Sequence, residues 1–172
     1  MLDIVDLNVV EAGTVKDWEE KGTRPVNTWI PIGTSNVPFA GNFNGNGKTI
    51  SGLYLNMATT EAVGMFGSTT GAATISNFNL VDSYMKSTDG CVGIVGSGTV
   101  ATIANVYTNA VIKSDSGNVG GMIGEFVPAG ESVVATFSNC WFDGALTGGM
   151  AYEAMNNAAE LKTNYIPLVN HY

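Results

Sequence analysis

Apolar and polar positions along this chain recur in blocks rather than in one continuous amphipathic rhythm. A five-residue apolar block bounded by glycine occurs as Val63-Gly64-Met65-Phe66-Gly67, again as Val92-Gly93-Ile94-Val95-Gly96, and again as Gly120-Gly121-Met122-Ile123-Gly124. The spacing is 29 residues from Gly64 to Gly93 and 28 from Gly93 to Gly121. Periods of this size mark solenoids and other repeat arrays. A polar turn follows each copy, then a second block: Ala73-Thr74-Ile75-Ser76-Asn77-Phe78, Ala101-Thr102-Ile103-Ala104-Asn105-Val106 and Ala135-Thr136-Phe137-Ser138-Asn139-Cys140. A third comprises Ser83-Tyr84-Met85-Lys86, Ala110-Val111-Ile112-Lys113 and Gly144-Ala145-Leu146-Thr147. Three short strands per ~28 residues predict an all-β coil with three faces, stacked in register.

In-register stacking places like over like. Ile75, Ile103 and Phe137 are expected inside, as are Met65, Ile94 and Met122, and Phe78, Val106 and Cys140. Asn77, Asn105 and Asn139 fall in one column, predicted to be buried and to hydrogen-bond amide to amide between coils. The glycine columns mark bends or close backbone approaches.

The ends break the pattern. Residues 1–27 form an N-terminal cap segment, and the first 25 residues hold nine of the 22 charged residues. Val5, Leu7 and Val9 alternate with Asp6 and Asn8, as in a half-exposed strand. Thr14 and Asp17 have capping-box spacing for one helical turn over 15–20, ended by Gly22. Such a segment suits the cap that a terminal coil needs over its apolar surface and open edges. The repeat array occupies 28–147. In its first part, Asn44-Gly45 and Asn46-Gly47 predict tight turns requiring positive φ, between Phe43 and the apolar Ile50, Leu53 and Leu55. Residues 148–172 lose the repeat; 152–161 read as a short amphipathic helix before an extended tail, either a C-terminal cap or a segment engaging a partner.

The combined pattern resembles the GLUG-motif repeats of large bacterial cell-surface and secreted proteins. The resemblance rests on Trp29-Ile30-Pro31-Ile32-Gly33, on Phe39-Ala40-Gly41-Asn42-Phe43-Asn44-Gly45-Asn46-Gly47, on Thr49-Ile50-Ser51-Gly52-Leu53-Tyr54 and on the three glycine-flanked blocks. It covers about residues 28–147. It implies a right-handed parallel β-helix (β-solenoid), similar to haemagglutinin-type and protease-stalk passengers that serve as surface adhesins or spacers. The family precedes its Trp-Pro-Ile-Gly block with an aspartate-rich strand pair, and here a short charged segment stands in that place.

Composition narrows the function. The net charge is −8, with Arg24 the sole arginine and His171 the sole histidine. An acidic chain without a basic cluster excludes nucleic-acid binding and docking on anionic membranes. No apolar run is long enough to span a membrane as a helix. The N-terminus carries acids where a signal peptide carries bases, so the chain is expected to lack its export signal or to be part of a longer protein. Cys91 and Cys140 lie 49 residues apart, at different points of the repeat, and are expected as free buried thiols with no zinc spacing.

Chemistry on a parallel β-helix requires clustered carboxylates, for calcium or for general acid–base work. Asp82, Asp89, Asp115, Glu125, Glu131 and Asp143 form no repeated column. Lys86 and Lys113 stack on one face and read as solvated, and Thr74, Thr102 and Thr136 form one threonine column. His171, one residue from the end, suits no nucleophile–base pair, and the glycines do not form a phosphate loop. No catalytic, cofactor-binding or metal residue is therefore expected. The sequence points to a non-enzymatic extracellular structural or adhesion module whose partners are other protein chains or surface glycans. The alternatives are a filament subunit stacking head to tail, and a carbohydrate-binding or polysaccharide-cleaving β-helix using aromatics such as Tyr54, Tyr107 or Trp141.

Overall fold

The computed structural model describes residues 4–11, 14–99, 102–127 and 136–148. These form a right-handed parallel β-solenoid of about three turns, nearly all strand. The expected C-terminal helix over 152–161 lies outside the described residues.

The chain visits three sheets in strict rotation. Sheet A stacks β1 (Ile4–Asp6), β2 (Asn42–Ser51), β5 (Thr74–Val81), β8 (Thr102–Thr108) and β11 (Thr136–Phe142). Sheet C stacks β3 (Tyr54–Met57), β6 (Tyr84–Ser87), β9 (Val111–Ser114) and β12 (Ala145–Thr147). Sheet B stacks β4 (Val63–Thr69), β7 (Val92–Gly98) and β10 (Ile123–Phe126). Every named pairing is parallel, and the registers are those of the repeat: Ile75↔Ile103↔Phe137, Gly64↔Gly93 and Met85↔Ile112↔Leu146.

The interior is a continuous apolar column. Met65, Phe66, Ile75, Phe78, Leu80, Ile94, Val95, Ile103, Val106, Ile112 and Met122 are all buried. Phe43 contributes edge-to-face contacts with Phe66 and Phe78, at centroid distances of 5.4 Å each. The sheet B glycines permit this closeness: a Cβ on Gly93 would lie 2.7 Å from the Gly124 nitrogen, and one on Gly64 would fall on the Gly93 carbonyl oxygen.

Four expectations change in the structure. The two Asn-Gly pairs do not form a hairpin turn. They sit inside β2, where the register to β5 jumps from Asn44↔Ser76 to Lys48↔Phe78. Three residues therefore oppose the single Asn77, and positive φ at Asn46 (53°) and Gly47 (71°) absorbs the excess as a bulge. The asparagine column lies on the outside, because Asn77, Asn105 and Asn139 take left-handed backbone (φ 60°, 54° and 50°) that turns their side chains outward. The amide ladder itself forms and extends to a fourth member. Asn77 donates to Asn44, Asn105 to Asn77 and Asn139 to Asn105, at 3.1, 2.7 and 2.9 Å.

The helical turn α1 (Asp17–Glu20) has no side-chain cap, and the Thr14 hydroxyl instead donates to the Glu11 carbonyl. Nor does α1 cover the end of the solenoid: it lies against the flank, on the outer face of sheet C. Residues 1–27 also contribute a strand of the array, since Ile4–Asp6 pairs with Thr49–Ser51. The chain then leaves the coil after Asn8 and rejoins it at Asn27. Asn8 donates to the carbonyls of Asn27 and Gly52 at 2.9 and 2.8 Å, and Asn27 donates to Leu7 at 3.2 Å. That exchange staples the base of the excursion carrying α1. Beyond it, Ile32 and Phe39 bridge in parallel to Phe66 and Thr69, so the Trp29–Gly33 signature forms an irregular extra rung beside sheet B.

Candidate functional site

Three exposed arrangements carry polar or aromatic side chains. The first is the flank where α1 docks. Tyr54 and Tyr84 are Cα partners that stack at 6.1 Å on the outer face of sheet C. Trp18 meets Tyr54 edge-on at 5.8 Å, and all three rings are buried. The Tyr54 hydroxyl donates to the Glu19 carboxylate in a very short contact, which holds that carboxyl below its usual range. Burial first, then the neighbouring carboxylates and Tyr54, push Tyr84 up to about 12. Lys113 lies over the Tyr84 ring at 5.8 Å and 3.7 Å from Glu20, while Lys86 pairs with Asp115 at 3.0 Å. The two stacked lysines are thus ion-paired and largely covered, correcting their reading as a solvated face: the acidic excursion, invisible to the repeat, is folded alongside them. Tyr54 is likewise a buried packing residue, and it also lines, with Trp29, Leu7 and Asn27, a pocket of about 260 Å³ at the base of the excursion.

The second arrangement is a groove of about 220 Å³ on the outer face of sheet B, lined by Ser35, Glu61, Ser68, Cys91, Ser97 and Glu125. Ser97 and Glu125 are register partners, and the serine donates to the carboxylate at 3.0 Å. Ser35 donates to Glu61 at 2.8 Å, and the Cys91 thiol to Glu125 at 3.5 Å. Burial pushes the Cys91 thiol up to about 11, so it is a poor nucleophile at neutral pH. Sequence spacing had set Glu125 among scattered acids. The structure brings it into one groove with Glu61, which lies on the irregular stretch before β4, where no repeat fixes its place. Both carboxylates accept from hydroxyls, and among the described residues no group of three or more His, Cys, Asp or Glu is placed to hold a metal. Asp89 and Asp115 lie on the turns leaving sheet C, and Glu131 lies outside the described residues.

The third arrangement is the outer face of sheet A. One column reads Thr49, Asn79, Tyr107, Trp141, and toward the far strand end Ser51 pairs with Val81, while Asn109 and Asp143 lie just beyond the ends of β8 and β11. Asn79 donates to the Thr49 hydroxyl at 3.1 Å, and the Asp82 N–H donates to the Asn109 side chain at 2.7 Å. Trp141 is 46% exposed and Tyr107 half-buried. The Thr74, Thr102, Thr136 column lies at the opposite end of the strands, with Thr74 donating to Asn42 at 2.6 Å.

Comparison with known proteins gives partial likenesses. The chain is 27% identical over 123 residues to Halomucin of Haloquadratum walsbyi (strain DSM 16790 / HBSQ001). That alignment takes in 67% of this chain. It spans 1% of Halomucin. A family described as 1-deoxy-D-xylulose-5-phosphate synthase matches residues 128–172. Of that span, the described residues 136–148 hold β11 and β12, the last strands among the described residues, paired in parallel to β8 and β9. No solved structure matches the chain.

Proposed function

We propose that this chain is a non-enzymatic structural or adhesion module of an extracellular or cell-surface protein. The observation that carries the reading is the in-register parallel stacking of the coils, with one bulge in β2. Each rung buries the next, and the outer asparagine ladder ties successive rungs, which is the construction of a rigid spacer. The resemblance to GLUG-type surface repeats and the stretch shared with the much longer Halomucin support it. The groove carboxylates are engaged by serines and a high-pKa thiol, which speaks for structure rather than acid–base chemistry there. The expected result is an elongated rod by small-angle scattering and no reducing ends released from neutral or acidic polysaccharides. Depolymerisation of any polysaccharide, lost in the Glu125→Gln variant, would overturn the non-enzymatic reading.

A second reading, head-to-tail association, draws on one observation. Among the described residues, six of the eight exposed large hydrophobics lie in the first 37 residues: Ile4, Val5, Val9, Val26, Ile30 and Val37. They sit at or near the end of the solenoid where β1 is the edge strand. Light scattering over a concentration series tests this, and a monomer at every concentration eliminates it.

A further inference from the structure

We propose that the outer face of sheet A, centred on Tyr107 and Trp141, binds an uncharged, extended β-linked polysaccharide. This rests on the adhesion-module reading and gives it a ligand class. Tyr107 and Trp141 are direct register partners on β8 and β11, so they project from one face on strands one inter-strand spacing, about 4.8 Å, apart. The column continues in the same direction to Asn79 and Thr49, an aromatic pair followed by an amide and a hydroxyl. The rung spacing is comparable to the advance of one sugar ring along an extended β-linked chain. Successive sugars would therefore meet successive rungs.

The side chains fit a polyol better than the other occupants of a sheet face. Aromatic faces take the C–H-rich faces of pyranose rings, and Tyr107 and Trp141 supply amphipathic surface for that contact. Asp143 follows Trp141 by two residues, and Asp82 lies beside Asn109, which follows Tyr107 by two residues. After burial, these two carboxylates are what raise the Tyr107 hydroxyl, which places their charge at the ring. Ionised carboxylates only accept hydrogen bonds, so the ligand must bring donors, as sugar hydroxyls do. No described lysine or arginine falls in the column of Tyr107 and Trp141, and the chain carries −8 overall, so uronates and sulfated sugars are repelled. A peptide strand adds through backbone hydrogen bonds to a sheet edge, which among the described strands of sheet A means β1 or β11, and not to the outward side chains of this face. The Asn79–Thr49 hydrogen bond pre-orders the polar half of the column.

The test uses the intact chain and defined hexasaccharides. Cellohexaose, mannohexaose and xylohexaose are the neutral probes, and hexagalacturonate is the acidic one. Binding is read by calorimetry and by amide chemical shifts of the wild-type protein. At least one neutral probe is expected to bind and to shift amides of β8 and β11, while hexagalacturonate does not bind. Trp141→Ala and Tyr107→Ala are each expected to weaken binding about tenfold or more, the effect of losing a central aromatic anchor. Thr102→Ala, at the opposite end of the same face, should bind as wild type. If Trp141→Ala fails to fold, Trp141→Leu with the wild-type shift map answers the same question. The proposal is overturned if no neutral probe binds at millimolar concentration, if shifts fall elsewhere, if hexagalacturonate binds as well as the neutral probes, or if the folded aromatic variants keep full affinity. A peptide or second copy occupying the face appears as one of these failures. None of them touches the rigid-module reading, which falls to product release or a non-elongated shape.

Discussion

Asn77, Asn105 and Asn139 each do two things that no other side chain combines as cheaply. They accept a left-handed backbone, and their amides tie the rungs: Asn77 and Asn105 donate to one rung while accepting from the next, and Asn139 donates to Asn105. Asn105→Ala removes both amide contacts and leaves a β-carbon in the left-handed region without the polar side chain that offsets its crowding, a strain of up to about 1–2 kcal/mol. The lost hydrogen bonds add about 1 kcal/mol, at the low end because the site is exposed. Asn105→Gly loses the same bonds without the strain. Urea unfolding should therefore order stability as wild type, then Gly, then Ala. The column was legible in the sequence because the period exposes it; its outward placement was not, because that depends on a backbone sign that composition does not encode.

The two thiols make a second residue-scale case. Burial raises both Cys91 and Cys140, and neither is bridged. Cys140 sits in register with Val106 on the core side, as the repeat alignment expects. Iodoacetamide at pH 7 should label both slowly in the folded protein and rapidly in urea, with mass spectrometry showing no change on reduction alone.

At the scale of elements, α1 is held by contacts the repeat could not reveal. Trp18 is 3% exposed, yet it belongs to a four-residue turn too short to be stable alone. Its docking platform, Tyr54 and Tyr84, consists of repeat residues whose aromatic identity looks incidental until the excursion folds over them. Removing a buried Trp costs about 3–5 kcal/mol, so Trp18→Ala should release the excursion and raise hydrogen exchange across 14–21 while β4 and β7 stay protected.

The same contact sets a pH dependence. Glu19 has a carboxyl pKa lowered in the folded state, chiefly by the Tyr54 hydroxyl, so its contribution is full above the ordinary glutamate value of about 4.3. That contribution is lost as pH falls through the lowered value. Exchange in α1 should accordingly rise below about pH 4.3, before the solenoid melts. Glu19→Gln should flatten that response. Sequence reading found the helical turn and its end but assigned it to the tip of the coil. The staple between Asn8 and Asn27, which fixes where the excursion leaves and returns, joins residues 19 apart with no repeat partner.

For the molecule as a whole, the strands of each coil pair only with those of neighbouring coils, the α1 excursion alone reaching across β3, β6 and β9, so the stability of the strand stack is close to a sum of coil and interface contributions. Ile94, fully buried in the central coil, should cost about 2–5 kcal/mol as Ile94→Ala. Val5 holds the equivalent inward register over Ile50 but is 50% exposed, because β1 is the last strand of its sheet. Val5→Ala should therefore lower the thermal midpoint far less than Ile94→Ala, a difference calorimetry resolves. The three-faced architecture was legible because a 28–29 residue period leaves few other ways to bury its apolar blocks. The extra rung of residues 29–39 was less so, since Trp29-Ile30-Pro31-Ile32-Gly33 matches none of the later blocks and joins sheet B only through isolated bridges.

The direction of the inter-rung hydrogen bonds has a consequence under tension. In a parallel solenoid these bonds lie along the long axis, and the first and last described strands, β1 and β12, lie at opposite ends of the described coil. A force drawing those ends apart peels strands one after another and never shears a whole sheet at once. Among the described strands the first to yield are the terminal β1 and β12, each held at three register positions, against seven between β2 and β5. Each released coil of 28 residues would pay out roughly 90–100 Å of extended chain. Between two surfaces, such a module would lengthen in steps under load, absorbing a sudden pull while its remaining rungs stayed folded.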